Sequence, residues 1–311
     1  MKKSFINILN KLPYIRGLFR QNQKLVFGER EQQSKFFYPP GHYYSTIVDV
    51  DIIKKYELNI WKKPAENNIK GIDLNTEQQI GLMAELSNYY AEMPFIDKKQ
   101  NELRYYFEND FFCHSDGILL YSLIRHFKPK KIIEIGSGFS SAVMLDTNEL
   151  FFNNEIDLTF IEPFPERLYS AIKENDKKCT SIVVSEVQQV RLATFEELNA
   201  GDILFIDSSH VVKTGSDVCF ILFEILPILK KGVIIHFHDI FYPFEYLKEW
   251  VFEGRNWNED YFLKAFLMYN NAFEIILFPD YLHKLYGNSF IQMPLCYENT
   301  GGSLWIIKNN S

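Results

Sequence analysis

The sequence predicts an α/β protein: a doubly wound, mostly parallel seven-stranded Rossmann-like sheet with an N-terminal helical or irregular extension. Three observations carry this. From about residue 115, short apolar runs alternate with helix-length runs, which implies right-handed crossovers and a parallel sheet covered on both faces. A turn of small residues, Gly136-Ser137-Gly138, directly follows the first apolar run, where such sheets bind ligands. The chain of 311 residues is 47% hydrophobic and 23% charged, enough for a large core and unlike a disordered or collagen-like chain.

The elements follow in order. Residues 1–35 form a basic amphipathic arm. Lys2, Lys3, Lys11, Arg16, Arg20 and Lys24 precede the first acid, Glu29, while Ile6, Leu9, Leu12, Ile15, Leu18 and Phe19 recur at helical spacing around Pro13. Two readings stand: residues 1–28 lie on an anionic membrane surface, or the arm packs on its own domain or on a second subunit of a homo-oligomer. Residues 36–112 read as a lid that contributes to an acceptor pocket, irregular over 36–75 and helical from Thr76, a cap residue, to Tyr90.

Residues 113–311 carry the sheet. A helix over Asp116–Phe127 leads to strand Lys131–Ile135, then a helix from Ser140 to Leu150, strand Leu158–Glu162 and helix Pro165–Glu174. Strands Ser181–Val184 and Ile203–Asp207, a long helix Ser216–Leu229 and strand Val233–Phe237 follow; Phe273–Phe278 and Ser303–Ile307 close the sheet. The net charge of −7 argues against a dedicated nucleic-acid binder. Cys113, Cys179, Cys219 and Cys296 are too scattered for a zinc site and read as reduced thiols of a cytoplasmic protein. On the membrane reading of the arm, it is peripheral to the inner face. No apolar run approaches the ~18 residues of a membrane span.

Candidate site residues gather at predicted strand ends. Gly136 and Gly138 permit a tight turn and close backbone approach, with the amides of Ser137, Ser140 and Ser141 facing a ligand. Ser141 stands where the dinucleotide fingerprint has a third glycine, which disfavours NAD. Glu134, before the turn, suits a nucleoside with an amino-acid tail, and Glu162 can accept hydrogen bonds from both ribose hydroxyls. Glu186 and Gln188, flanking Val187, suit an adenine slot. Asp207, His238 and Asp239, at two adjacent strand ends, converge as ligands for one divalent ion, Mg2+ or another. His210, three residues after Asp207, is placed to act as general base with a pKa near the working pH.

The runs IIEIGSGFSSAVML, FIEP, GDILFIDSSHVVKTGSDV and GVIIHFHDIFYPFEYLKEW resemble the class I S-adenosylmethionine-dependent methyltransferases. More narrowly, they resemble the bacterial sugar and small-molecule O-methyltransferases found with polysaccharide or glycosylated-metabolite pathways. GHYYS and RNWNEDYFLKAFL extend the likeness over about residues 36–308. The resemblance implies that 113–311 is a class I methyltransferase domain, that Gly136 and Gly138 line the methionine moiety, and that Glu162 holds the ribose. It further implies that Asp207 and Asp239 bind magnesium and that His210 is the base; His238 stands where the related family has an acidic ligand.

The implied reaction is an SN2 methyl transfer to a sugar or glycan hydroxyl, with Asp207 and His210 as the catalytic pair. His42, Tyr43 and Tyr44, together with the segment around Arg255, Trp257 and Glu259, supply aromatic and polar groups for the acceptor. Two alternatives stay open: a metal-dependent hydroxylase-like enzyme on the same fold, and a non-catalytic partner of a membrane-associated glycan assembly complex.

Overall fold

The computed structural model describes residues 36–61 and 66–309, which fall into two units. The arm over 1–35, and with it both readings of it, lies outside the described residues. No described helix is long and apolar enough to cross a membrane.

The larger unit, within residues 64–247 and 257–311, holds a seven-stranded sheet. Its strands are β1 (Lys131–Ile135), β2 (Asp157–Ile161), β3 (Ser181–Val183), β4 (Ile203–Ile206), β5 (Ile234–His238), β6 (Phe273–Leu277) and β7 (Ser303–Lys308). They lie in the order β3-β2-β1-β4-β5-β7-β6. The first five are mutually parallel, and β7 runs antiparallel to both β5 and β6. This is the Rossmann-like sheet that the alternation predicts, with a reversed strand inserted near one edge.

The strands are apolar because both sheet faces are covered. Every residue of β4 and β5 is buried, as are Ile132, Ile133 and Ile135 of β1. Helix α1 (Thr76–Leu86) precedes α2 (His114–Phe127), whose residues Gly117–Ile124 are all buried, and α3 (Phe139–Phe152) packs beside α2. Burying each large aliphatic side chain contributes about 1.5–3 kcal/mol, which outweighs the modest propensity of Ile and Val for regular structure in any one segment.

Several predicted boundaries shift for identifiable reasons. Asn75, in the left-handed region, precedes α1 and makes no side-chain cap, while the Thr76 hydroxyl bonds the Tyr281 phenol at 2.8 Å. Thr76 is thus a tertiary contact rather than a cap. The helix predicted over Pro165–Glu174 is shorter, α4 (Glu166–Ala171), with a separate turn α5 (Asp176–Cys179). The long helix after β4 contains a π-helical stretch, Ile221–Ile225, next to Pro227.

Order reverses between β1 and β4, which lie side by side with β2 and β3 beyond one and β5 beyond the other. Such a switch point opens a crevice at the carboxyl ends of the strands. Two backbone bonds carry the ladder one step past the strands: Asp207 N–H to Ile135 O (2.8 Å) and Gly136 N–H to Ile161 O (2.9 Å). They bring the glycine turn and the Asp207 loop together.

The smaller unit comprises described residues within 36–61 and 248–256. Helices Val50–Lys55, Glu57–Trp61 and Lys248–Phe252 make it up, with Asp49 capping the first and Lys248 paired to Glu57 at 3.0 Å.

Candidate active site

At the end of β1 the backbone turns through Gly136, whose φ of 81° lies in the left-handed region. A Cβ there would be driven into the backbone carbonyl of Asp207. No other residue type fits, because the turn and the next strand end touch through main chain.

Glu134 is fully buried, and its two carboxylate oxygens accept from the hydroxyls of Ser140 and Ser141 at the start of α3. Burial pushes its carboxyl up to about 8, with the two serine hydroxyls partly opposing this. Ser141 Oγ also accepts the Gly138 amide at 3.0 Å. Glu134, Ser140 and Ser141 therefore form an internal brace that holds the turn rigid. The buried Ser137 hydroxyl has no hydrogen-bond partner, an orphan on the ligand-facing turn.

Glu162 follows β2 and accepts the amides of Ser137 (3.0 Å) and Phe164 (2.8 Å). These two amides fix the carboxylate at the strand end while leaving lone pairs for further donors, as a ribose diol requires. After β3, Val187 is buried, Glu186 is exposed, and Gln188 donates its amide to the Gly215 carbonyl at 2.9 Å. Together the orphan hydroxyl, the glycine cradle and the fixed Glu162 fit a nucleoside carrying an amino-acid tail.

Beyond the turn, β4 and β5 place their terminal residues side by side. His210 is buried, and both it (φ 59°) and Asp239 (φ 55°) adopt left-handed backbone, a strained state often found at functional sites. His210 Nδ1–H donates to Glu259 Oε2 at 2.9 Å, and its Nε2 lies 3.4 Å from Asp207 and 3.6 Å from Asp239. The His210 carbonyl accepts the amides of Asn258 (3.0 Å) and Glu259 (3.2 Å), locking the two loops together. Burial alone would lower the imidazole, but hydrogen bonds to Asp207 and Glu259 outweigh it and hold His210 well above its ordinary range. Asp207 is held below the usual carboxylate range: burial would raise it, and the charges of His238 and His210 prevail. His210 thus holds its proton more strongly than an ordinary histidine.

The expected divalent ion finds no matching donor set. Among the described residues no group of three acidic, histidine or cysteine side chains is disposed to hold a metal. His210 Nε2 itself lies between Asp207 and Asp239, 3.4 Å and 3.6 Å away, in the space an ion shared by the two carboxylates would need. His238 lies beside Asp239 (3.6 Å) with its Nδ1 unpartnered, and His236 is stacked on Phe205 at 3.8 Å as a neutral core residue.

Two residues escaped the sequence reading in their actual roles. Glu259, read as part of an acceptor segment, is the buried partner of His210. Asp116, at the first turn of α2, accepts the Gly302 amide and sits among His238, Asp239 and Asp207; burial, with these acids partly offset by His238, pushes it up to about 6. Neither carries a local motif. Trp257 lies against His210, the ring centroids 4.5 Å apart. His42, Tyr43 and Tyr44 belong to the smaller unit, where His42 stacks on Tyr38 at 4.7 Å and Tyr43 is 91% exposed.

Residues 133–240 match the family model described as a methyltransferase domain. An uncharacterized protein of Archaeoglobus fulgidus is 32% identical over 163 residues, 52% of this chain and 73% of that protein. Among solved structures, the S-adenosylhomocysteine-bound methyltransferase PaMTH1 of Podospora anserina shares 14% identity and a TM-score of 0.40, over 84% of this chain and 95% of its own. The O-methyltransferase TomG of Streptomyces achromogenes, solved with S-adenosylmethionine and involved in tomaymycin synthesis, gives 12%, 0.38, 83% and 96%. Those two superpositions are loose. The domain match, by contrast, spans β1 to β5 with the glycine turn and both acidic strand ends. The chain belongs to the same family as the archaeal protein, and its residues 133–240 form a methyltransferase domain.

Proposed function

We propose that the acceptor atom is a hydroxyl oxygen of a sugar or glycan, and that His210 removes its proton. One observation carries this reading: a buried histidine, oriented by Glu259 through Nδ1, directs Nε2 toward the two strand-end acids beside the donor turn. An alcohol is a poor nucleophile at neutral pH and needs such a base, whereas an amine acceptor would need far less help.

S-adenosylmethionine, when bound, supplies a methyl group already activated on a sulfonium. The protein's part is to align and to move one proton. As the acceptor oxygen bonds the methyl carbon and the carbon–sulfur bond breaks, the hydroxyl proton passes to His210 Nε2. Glu259 and Asp207 stabilise the imidazolium so formed, and no step calls for a metal ion. Trp257, beside the base, offers an aromatic face suited to sugar C–H surfaces. The resemblance to sugar O-methyltransferases supports the same acceptor class.

The test is transfer of labelled methyl from S-adenosylmethionine to a panel of nucleotide sugars and glycosides, with phenols and amines as controls. Label confined to the amines would refute the hydroxyl acceptor. His210→Ala should lose turnover, by roughly 100-fold or more for a general base, with S-adenosylhomocysteine affinity retained; equal loss of both would make the residue structural.

A further inference from the structure

The donor cleft is dominated by acids. Glu162 flanks the glycine turn, Asp207 and Asp239 lie at the strand ends beyond it, and Asp116 of α2 sits among them. That surplus suits the sulfonium and ammonium of the donor, but it repels the carboxylate of the same amino-acid tail. A cation is therefore needed near the turn, and both histidines there are already engaged with acids.

Arg167, in the first turn of α4, meets this need. Its side chain lies across the second glycine: a Cβ built on Gly138 would stand 3.1 Å from Arg167 Cδ. Its guanidinium carbon sits 3.9 Å from the centroid of the Phe111 ring, which stacks in turn near Phe139. Among the described residues the guanidinium has no hydrogen bond or ion pair, although its charge reaches Asp207. Glycine at position 138 thus leaves room for this side chain. An unpaired arginine seated over an aromatic ring beside a ligand turn is placed to receive a planar anion.

We infer that Arg167 receives the carboxylate of the donor's amino-acid tail, with Phe111 as the platform that aims its guanidinium. This rests on the donor site described above. It makes Arg167 a determinant of which nucleosides bind: those with an anionic tail rather than truncated ones.

Titration calorimetry on the full chain decides it, with S-adenosylhomocysteine against 5′-methylthioadenosine, which keeps the nucleoside and sulfur but lacks the amino-acid tail. Arg167→Ala should weaken S-adenosylhomocysteine about tenfold or more while changing 5′-methylthioadenosine less than about twofold, and Arg167→Lys should fall between. Unchanged binding of the truncated nucleoside also reports that the variant is folded. Equal weakening of both ligands, or no weakening of either, overturns the role of Arg167. Wild-type protein that binds neither ligand overturns the donor site together with it.

Discussion

Glu259 governs how firmly His210 holds its proton, because the two side chains share a hydrogen bond in a buried setting. On the proposed mechanism the base works only when deprotonated, so turnover rises with pH through the His210 pKa, with its midpoint above 6.5. Glu259→Gln removes a negative charge that favours the imidazolium. The ascending limb of kcat against pH should then move to lower pH, and its plateau should drop by roughly 10-fold or more as the ring loses its orienter. A limb that stays in place would show that another group titrates. Gly136→Ala is the harsher change: the φ of 81° and the Asp207 carbonyl leave its methyl no space. It should cost several kcal/mol by urea unfolding, roughly 1–3 from the backbone conformation alone, and abolish S-adenosylhomocysteine binding.

Among the elements, the segment before α2 depends on one buried cation. Arg104 pairs with Asp146 of α3 (2.7 Å) and Asp176 of α5 (2.6 Å), and its amide bonds Asp146 at 2.9 Å. The same segment carries Phe111, the platform under Arg167. Arg104→Ala leaves two largely buried carboxylates unpaired, which should cost about 3–5 kcal/mol in denaturant unfolding. Legibility divides along the same lines. The five parallel strands could be read because each is a short apolar run between turn formers, as in Ile203–Ile206, and Gly136 because a turn that tight admits one residue type. The antiparallel insertion of β7 could not, since its neighbours β5 and β6 are chosen by tertiary packing. Nor could the His210–Glu259 pair, whose members are 49 positions apart with no spacing rule joining them.

For the molecule as a whole, buried acids set the response to pH. Glu134 keeps its proton up to about 8 when folded, while an unfolded chain releases it near 4.5. Its contribution to stability is full below 4.5 and is lost as pH rises from there to about 8, with a slope of at most about 1.4 kcal/mol per pH unit. Glu134→Gln, which cannot ionise, should flatten that part of the stability–pH curve measured by chemical unfolding. Donor binding works in the opposite sense: S-adenosylhomocysteine at 100 times its Kd should stabilise the folded chain by about 2.7 kcal/mol and raise Tm accordingly.

The position of β7 also orders events during synthesis. β6 reaches the sheet only through β7, yet β7 follows it along the chain. On a ribosome, therefore, β6 emerges with no partner to pair with, and the nascent sheet stays open past β5. The Gly302 carbonyl that fixes the Asp239 amide, and the Gly302 amide that meets Asp116, arrive with that same late stretch. A nascent chain halted before residue 300 would therefore carry the glycine turn but lack the Gly302 contacts that hold Asp239 and Asp116.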